Sequence, residues 1–223
     1  MPGVLPWSYS SLNAFEQCPK RYHLTRITKE VVEPQTEATM WGNAVHKALE
    51  NAVNGVPLPQ RFLTYQPVVD KIRAAPGVKK TEHKFGLTAS FQPTTFFAKD
   101  VWFRGVIDLT ITQPEKRTAV VLDHKTGKVK EDGDQLKLFA ATSFALEPWL
   151  ENVKTGYLWL AADKITTASF ARKDVPVIWQ EFAPRIQRMV KAQELNLWPP
   201  RPSGLCKAWC PLTKRQCEFS GKE

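Results

Sequence analysis

Cysteine is scarce in this sequence, and long apolar runs are missing from it. Only four of the 223 residues are cysteine, too few for a disulfide-rich secreted protein. No apolar run is long enough to span a membrane, and the first residues lack the charged and apolar regions of a signal peptide. We therefore expect a cytoplasmic protein of a prokaryotic host cell, encoded by that cell or by a virus.

Acidic residues are outnumbered by basic ones. The 31 Lys and Arg residues against 22 Asp and Glu residues give a formal net charge of +9 and a pI near 9.4. This excess favours an anionic partner and suits phosphate contacts whose strength depends on salt. A soluble basic surface without such a partner has the same net charge, so the charge alone does not separate the two interpretations.

The order of the predicted elements indicates an α/β fold. Two strand-like runs, 101–111 and 117–125, flank a turn at 113–116, and helix-like stretches precede and follow them. We predict a central mixed β-sheet flanked by helices. Three further predicted elements are helices at Ser10–Thr28 and Val175–Leu197 and a strand at Thr94–Ala98.

Two carboxylates and an ammonium group stand at the ends of the two adjacent predicted strands. Asp108 takes a place where an apolar residue would pack better, and Asp123 and Lys125 end the second strand. If the strands pair as a hairpin, Asp108 lies beside Asp123, and their repulsion favours a bound cation. Alternation places Asp123 and Lys125 on one face and turns His124 away. Surface carboxylates with a solvated lysine are the alternative, because D-x-K occurs by chance in many proteins.

Two predicted helices bring further polar residues to this region. Gln135 stands in the first turn of the helix that follows the second strand. In an earlier helix, Gly42 and His46 lie one turn apart beside an apolar stripe. Glycine would let a strand or a DNA backbone approach closely, and His46 could reach a metal ion. A histidine buried in the core is the alternative for His46.

The four cysteines fall at the two ends of the chain. One lies near the start, and the other three lie near the end with C-x3-C-x6-C spacing. Disulfides are disfavoured in such a chain, and thiols in a basic, proline-containing loop make poor core residues. Four thiolates suit a structural zinc ion and an iron–sulfur cluster, and their chemistry alone does not decide between the two. The cysteines are Cys18, Cys206, Cys210 and Cys217.

An ordered set of short motifs resembles the RecB-type branch of the PD-(D/E)xK nuclease superfamily. The segment from Ser8 to Tyr22 is also similar to the N-terminal segment of that branch, so the resemblance covers nearly the whole chain. It implies a restriction-endonuclease-like core. The motifs are Gly42-x3-His46, Gly105-x2-Asp108, Asp123-x-Lys125 and Gln135-Leu136.

The same resemblance gives the cysteines a function. In that branch one early and three late cysteines bind a [4Fe–4S] cluster, with structural Zn²⁺ as the alternative here. It implies a single nuclease domain over residues 1–223, in which Cys18 and the segment 198–223 form an iron–sulfur module. This C-terminal cysteine module would be stapled to the N-terminal helix.

The resemblance also implies roles for the candidate site residues. His46, Asp108 and Asp123 would ligate Mg²⁺ or Mn²⁺, and the backbone carbonyl of His124 would complete the protein ligands. Lys125 would orient the attacking water and help to deprotonate it.

Three other positions bear on the same resemblance. Gln135 would position the attacking water or the scissile phosphate. Glu82 lies in a region where related nucleases often carry an additional acid, although an exposed glutamate is the common explanation for such a residue. Phe139 stands where the family usually has tyrosine, so this chain lacks the phosphate contact of that hydroxyl.

The implied activity is metal-dependent hydrolysis of DNA by an exonuclease that acts on single-stranded DNA or duplex ends. A non-catalytic DNA-end-binding module, a subunit of a recombination or CRISPR-adaptation complex and an RNA-cleaving enzyme are the alternatives. The sequence contains no G-x4-G-K-[ST] phosphate loop, so we do not expect a helicase–nuclease fusion. Beyond DNA, the expected partners are further copies of the chain or a helicase, recombination or integration protein.

Overall fold

Among the residues that the structure describes, four α-helices precede four strands, and a helix, two strands and a last helix follow. The computed structural model describes residues 5–130 and 132–222. Residues 1–4, 131 and 223 of the predicted nuclease domain lie outside the described residues. The helices are α1 (Tyr9–Gln17), α2 (Pro19–Tyr22), α3 (Glu37–Val53), α4 (Gln66–Ala74), α5 (Asp134–Leu146) and α6 (Val175–Glu194), and the strands are β1 (Val78–Leu87), β2 (Pro93–Thr94), β3 (Phe103–Gln113), β4 (Thr118–Lys125), β5 (Asn152–Trp159) and β6 (Lys164–Ala171).

The contacts between residues divide the chain into two compact units. One unit, Thr36–Gln180, contains the sheet, and the other is formed by Met1–Gln35 together with Glu181–Glu223. The second unit therefore contains both ends of the chain and all four cysteines. In the described part of the chain, no helix is both long enough and apolar enough to cross a membrane.

The sheet has the strand order β2-β1-β3-β4-β5-β6. Its neighbours pair antiparallel except β4 and β5, which are parallel. A parallel pair needs a crossover connection, and α5 lies in the segment that connects β4 to β5. The predicted α/β fold with a central mixed sheet is thus confirmed.

Helices pack on both faces of this sheet. On one face, Ile72 of α4 packs against Leu109 of β3, and on the other Leu136 of α5 packs against Tyr157 of β5. Leu158, the residue after Tyr157, belongs to the first cluster. The two residues lie on different sides of the sheet because successive side chains of a strand point to opposite faces. The face covered by α3 and α4 and the face covered by α5 each contribute residues to the site described below.

β3 and β4 form the predicted hairpin. A 3-10 turn, Pro114–Lys116, connects them, and Arg117 after it adopts a left-handed φ of 55°. The ladder between the strands begins at this turn, and its last pair is Leu109 with Leu122. The two strands part beyond that pair, and β3 continues to pair with β1 as far as Phe103. Asp108 therefore lies in the middle of β3 instead of at its end as predicted, whereas Asp123 and Lys125 do lie at the end of β4.

The prediction of one unbroken helix over Ser10–Thr28 is wrong. The side chain of Ser8 accepts a hydrogen bond from the first turn of α1, which ends at Gln17. Cys18 is extended, with φ of −164° and ψ of 106°, and the helix resumes at Pro19. Proline disfavours the helical conformation in the residue before it, so the Cys-Pro pair divides the helix and separates Cys18 from both parts.

Two other element predictions need correction. The strand predicted at Thr94–Ala98 is limited to Pro93–Thr94, because a hydrogen-bonded turn follows directly. The last helix ends at Glu194 instead of Leu197, and Asn196 beyond it adopts a left-handed φ of 47°.

Candidate active site

β1 changes the face of its side chains in the middle of the strand. Glu82 has a left-handed φ of 45°, which is rare for a residue other than glycine. Thr81 accepts a hydrogen bond from Asn54 at the end of α3 (2.9 Å), and Glu82 Oε1 lies 4.0 Å from Nδ1 of His46, also on α3. Two successive residues of β1 therefore face the same helix.

β3 shows the same change at the position opposite. Asp108 lies across from Glu82, between ladder pairs on either side of it. Leu109 packs in the cluster on the α4 face, and Asp108 Oδ2 lies 3.3 Å from Nδ1 of His46. Regular alternation would turn Asp108 away from the face of Leu109. The irregular positions of Glu82 and Asp108 instead bring both carboxylates towards the imidazole of His46.

α3 brings His46 to the strand ends. The helix starts after Thr36, whose hydroxyl accepts a hydrogen bond from the backbone N–H of Thr39 (3.2 Å). A Cβ added to Gly42 would lie only 3.3 Å from Oγ1 of Thr126, the residue that follows β4. Gly42 therefore leaves room for the side chain of Thr126 directly after β4. His46 follows one turn later on the same side of the helix.

Asp108 occupies the gap where β3 and β4 part. Its Oδ2 accepts a hydrogen bond from the backbone N–H of His124 (2.7 Å) and lies 3.8 Å from Nδ1 of the same residue. The rings of His46 and His124 meet edge to face, with centroids 5.8 Å apart. His124 was expected to turn away. It does so with respect to Asp123 and Lys125, but its ring is buried beside Asp108 and His46.

Asp123, Lys125 and Gln135 form a closed set of contacts on the α5 side. Lys125 Nζ lies 2.6 Å from Asp123 Oδ2 and donates to Gln135 Oε1 (2.9 Å). Gln135 Nε2 donates to Asp123 Oδ1 (2.9 Å), so the amide holds both charged groups at once. Lys125 Nζ also lies 5.1 Å from the ring centre of Tyr157. The ammonium group is thereby fixed from three directions.

The pKa values of the two aspartates, Asp108 and Asp123, are shifted in opposite directions. Burial and the charge of Asp108 raise the pKa of Asp123 to about 6, despite the opposing effect of Lys125. Burial alone would also raise the pKa of Asp108, but its hydrogen bond to His46 and the charges of His46 and His124 lower that pKa below its usual value. Asp108 is therefore the more readily ionised member of the pair.

Three neighbouring titratable groups also have shifted pKa values. Burial alone would lower the pKa of His46, but the hydrogen bond and charge of Asp108 outweigh burial and raise it. Burial lowers the pKa of His124 to about 4, so its imidazole is neutral at physiological pH. Burial and the charge of Asp108 raise the pKa of Glu82. The site thus contains a concentration of negative charge that a cation would relieve.

Three residues could hold a metal ion directly. His46, Asp108 and His124 each offer a ligand atom within 4.8 Å of the other two, and they are the one such group of His, Cys, Asp or Glu in the described chain. Among the described residues, Nε2 of His124 has no hydrogen-bond partner although it is buried. A neutral imidazole, a buried carboxylate and a second carboxylate with a raised pKa fit a divalent cation.

Comparison with known proteins identifies the family. A family model described as the PD-(D/E)XK nuclease superfamily matches residues 6–218. The chain belongs to the PD-(D/E)XK nuclease superfamily. No curated protein matches the sequence.

Solved structures resemble this nuclease over nearly its whole length. A structure from Eubacterium rectale named "Putative exonuclease" covers 94% of the chain and 90% of its own, with 10% identity and a TM-score of 0.55. The structure of SSO0001 covers 96% and 90%, with 15% identity and a TM-score of 0.47. The similarity to the E. rectale structure supports the restriction-endonuclease-like α/β core.

The structure places most of the predicted site residues of this nuclease in two contact groups. Asp123, Lys125 and Gln135 form one group. The other group consists of His46, Glu82, Asp108 and His124. The charge of Asp108 connects the two groups, because it raises the pKa of Asp123 in the first group.

One residue of the site was not foreseen from the sequence. Tyr157 lies beside Lys125, and burial and the charges of Asp123, Asp132 and Asp134 raise its pKa. The parallel register of β4 and β5 sets Tyr157 opposite Asp123. A strand–helix–strand pattern would have been the signal for it, because such a crossover makes neighbouring strands parallel.

Phe139 is buried in α5, with 4% of its surface exposed. It therefore packs in the core at the position where the family usually has tyrosine. The missing hydroxyl leaves the contacts among Asp123, Lys125 and Gln135 unaffected.

The second compact unit brings the cysteine-containing segments close to one another. The backbone N–H of Arg201 donates to Sγ of Cys18 (3.5 Å), and that of Ser203 donates to Sγ of Cys206 (3.3 Å). Arg201 also donates to the carbonyl of Glu16 in α1 (2.7 Å). Lys20 forms an ion pair with Glu218 (3.7 Å).

The late cysteines lie in a compact loop. The backbone N–H of Gly221 donates to the carbonyl of Cys206 (3.3 Å), and that of Cys217 donates to the carbonyl of Thr213 (2.9 Å). A Cβ on Gly221 would lie 2.1 Å from the carbonyl oxygen of Lys207, so only glycine fits there. All four thiols are free, and among the described residues no three of them come within 4.8 Å of one another.

Proposed function

We propose that this nuclease is a metal-dependent deoxyribonuclease that degrades single-stranded DNA or duplex ends as an exonuclease. The observation that carries the proposal is the set of contacts at the end of β4. Lys125 lies 2.6 Å from the buried Asp123, Gln135 holds both, and Asp108 lies close enough to raise the pKa of Asp123. An ammonium group fixed beside two carboxylates suits hydrolysis of an anionic ester.

The proposed ligands are His46, Asp108, Asp123 and His124. A bound Mg²⁺ or Mn²⁺ would supply charge stabilisation at the phosphate and would acidify the attacking water. The imidazole of His46 favours Mn²⁺ over Mg²⁺, because nitrogen ligands suit transition metals better than hard alkaline-earth ions. His124 contributes either its backbone carbonyl, as the family resemblance implies, or its buried ring, whose Nε2 is without a hydrogen-bond partner in the described chain.

The other residues act on the water and the phosphate. Lys125 orients the water and stabilises negative charge on the phosphate, since its Nζ is held in place by Asp123 and Gln135. Gln135 holds the ammonium group of Lys125 and the carboxylate of Asp123 in fixed positions relative to each other. Glu82 adds a carboxylate on the His46 side of the site.

A cleavage assay with two substitutions tests the proposal. Wild-type protein, Asp108→Ala, Lys125→Ala and the control Lys154→Ala are incubated with end-labelled DNA, circular single-stranded DNA and RNA of the same sequence, with Mn²⁺, Mg²⁺ or EDTA. Lys154 is exposed on β5 and matches Lys125 as a lysine in a strand. We expect end-dependent shortening of DNA that EDTA abolishes and that both site substitutions reduce at least about 100-fold.

The same assay separates the alternatives. Cleavage of the circle would indicate an endonuclease, and preferential loss of RNA would indicate a ribonuclease. DNA-end binding without cleavage by the wild-type protein would leave a non-catalytic binding module. Equal cleavage by the wild type, Asp108→Ala and Lys125→Ala would refute the proposed site.

We further propose that Cys18, Cys206, Cys210 and Cys217 bind a [4Fe–4S] cluster within the nuclease. Backbone N–H groups donate to Sγ of Cys18 and of Cys206. Hydrogen bonds to sulfur are one means by which proteins tune such clusters. The order of one early and three late cysteines, as in the resembled branch, favours the cluster over a structural zinc ion.

Metal analysis after anaerobic purification tests this assignment. About four iron and four sulfide per chain would support the cluster. Stoichiometric zinc without iron would support the zinc alternative. A variant with Cys210→Ser and Cys217→Ser should lose the bound iron, whereas iron retained at the wild-type level would contradict ligation by these cysteines. The same measurement tests a related proposal. We propose that residues 1–223 form one nuclease domain in which Cys18 and the segment 198–223 form an iron–sulfur module.

A further inference from the structure

A turn between β2 and β3 exposes an aromatic side chain that its own backbone holds in place. Phe97 has 76% of its surface exposed. The backbone N–H of Ala98 donates to the carbonyl of Thr95 (3.1 Å), and Thr94 Oγ1 donates to Asp100 Oδ1 (3.1 Å). A single exposed apolar side chain is common on protein surfaces, so the significance of Phe97 depends on the groups that surround it.

Two cations stand beside this ring and its neighbour. The guanidinium of Arg104 lies 4.9 Å from the ring centre of Phe96 and 5.9 Å from that of Phe97, and it donates to the carbonyl of Phe96 (3.2 Å). Lys84 Nζ lies 6.0 Å from the Phe96 ring. The two phenyl rings meet edge to face, with centroids 4.9 Å apart. Together these residues present aromatic surface and positive charge side by side.

The charges around this patch favour an anion. Lys99 lies within the same turn and is exposed. Asp100 is the acidic residue of the turn, and its carboxylate already accepts the hydrogen bond from Thr94.

This patch lies on the same side of the paired strands β1 and β3 as the carboxylates of Glu82 and Asp108. Lys84 comes two residues after Glu82 and Arg104 comes four residues before Asp108, and the ladder between these strands is regular from His83 to Leu87, so alternation directs the side chains to one face. Four strand residues correspond to about 13 Å. That distance spans about four stacked nucleotides at about 3.4 Å each.

We propose that Phe97, supported by Phe96, Arg104 and Lys84, forms a stacking platform for unpaired bases of a single-stranded nucleic acid. The bases stack on the phenyl ring, and the cations contact the phosphates of the same strand. This inference rests on the proposed nuclease function, because the platform would hold the substrate strand a few nucleotides from the scissile phosphate. Unpaired bases fit the site better than a duplex, whose stacked bases cannot reach an aromatic ring.

Binding measured without cleavage tests the platform separately from the active site. Fluorescence anisotropy of labelled oligothymidylate is recorded in EDTA with the wild type, Phe97→Ala, Phe97→Leu and Phe97→Trp. The control is Ile165→Ala, which removes an exposed apolar side chain from β6. We expect Phe97→Ala to weaken binding about five- to 150-fold, Phe97→Leu to weaken it similarly and Phe97→Trp to retain it.

The outcomes distinguish this inference from the proposed function. A Phe97→Ala variant that binds within twofold of the wild type overturns the platform, even if the enzyme cleaves DNA as proposed. Phe97-dependent binding by a protein that cleaves no DNA upholds the platform and overturns the proposed catalysis instead. An equal loss of affinity for a duplex with closed hairpin ends, or retained affinity in Phe97→Leu, would also overturn stacking. Phe97 would then be better explained as a contact for a protein partner.

Discussion

Glu82 and Asp108 occupy opposed positions on neighbouring antiparallel strands, and both carboxylates point towards His46. The distances from His46 Nδ1 are 4.0 Å to Glu82 Oε1 and 3.3 Å to Asp108 Oδ2. Glu82 reaches this position with a left-handed φ of 45°. Such backbone strain is concentrated at functional sites, because a regular strand could not direct these side chains to one group.

The strain at Glu82 leads to a prediction about stability and metal binding. Glu82→Gly should raise the free energy of unfolding by about 1 kcal/mol relative to Glu82→Gln, because glycine adopts positive φ without strain. Both variants lose the carboxylate, so their difference isolates the backbone. Urea denaturation in EDTA measures the stability, and titration calorimetry with Mn²⁺ should show weaker binding for both. Equal stability of the two variants would contradict a strained Glu82.

The parts of the site that follow local periodicity were predictable from sequence. Asp123 and Lys125 share a face because strands alternate with a period of two, and Gln135 reaches them from the first turn of the next helix. The hairpin followed from two strand-like runs around a short turn. Each of these inferences needs only neighbouring residues along the chain.

The remaining features depend on contacts between distant segments. The positive φ of Glu82 is not encoded in the apolar pattern of β1, and it arises where β1, β3 and α3 meet. The place of Tyr157 depends on the parallel register across α5. The ring of His124 turns away from Asp123 and Lys125 as alternation predicts, but alternation does not show that Asp108 and His46 lie on the face to which the ring turns.

Gln135 connects the ammonium and the carboxylate, so its substitution should slow cleavage. Gln135→Leu removes both hydrogen bonds and should lower kcat about 10- to 100-fold, because Lys125 and Asp123 lose the amide that orients them. Gln135→Glu keeps an acceptor for Lys125 but adds a charge beside Asp123. This variant should shift the acidic limb of the pH–rate profile upwards, since a like charge raises a carboxyl pKa.

The control for Gln135 is Gln66→Leu, which removes an exposed amide that donates to Asp70 on α4. Steady-state cleavage of end-labelled DNA from pH 5 to pH 9 compares the three variants with the wild type. A Gln135→Leu variant as fast as Gln66→Leu would show that the amide is dispensable.

Metal affinity should depend on pH through Asp123. The pKa of this carboxyl is raised from 3.8 to about 6 in the metal-free protein. Protons therefore compete with the cation below about pH 6, and the Mn²⁺ affinity should fall about tenfold per pH unit for each proton displaced. Titration calorimetry at pH 5 and pH 7.5 measures this change. Asp123→Asn should bind weakly at both values, and a wild-type affinity independent of pH would contradict the assignment.

The same carboxyl has the opposite effect on the metal-free fold. Because the folded state binds this proton more tightly than the unfolded chain, the stability contribution of Asp123 is complete below pH 3.8 and is lost as the pH rises through about 6. Urea denaturation in EDTA should detect the loss in the wild type and a smaller one in Asp123→Asn. Saturating Mn²⁺ should restore stability above pH 6, because the cation binds the ionised carboxylate of the folded state.

Gly105 lies three residues before Asp108, and its substitution should disturb both the fold and the site. A Cβ there would lie 2.8 Å from Cζ of Phe85, which is 2% exposed and packs against Phe103. Gly105→Ala should therefore cost about 1–3 kcal/mol of unfolding free energy and reduce cleavage, because β3 must shift. Gly204→Ala, in open space, is the matched control. Combining Gly105→Ala with Phe85→Leu should recover part of the stability by relieving the clash, whereas additive losses would show that crowding against Phe85 is not the cause.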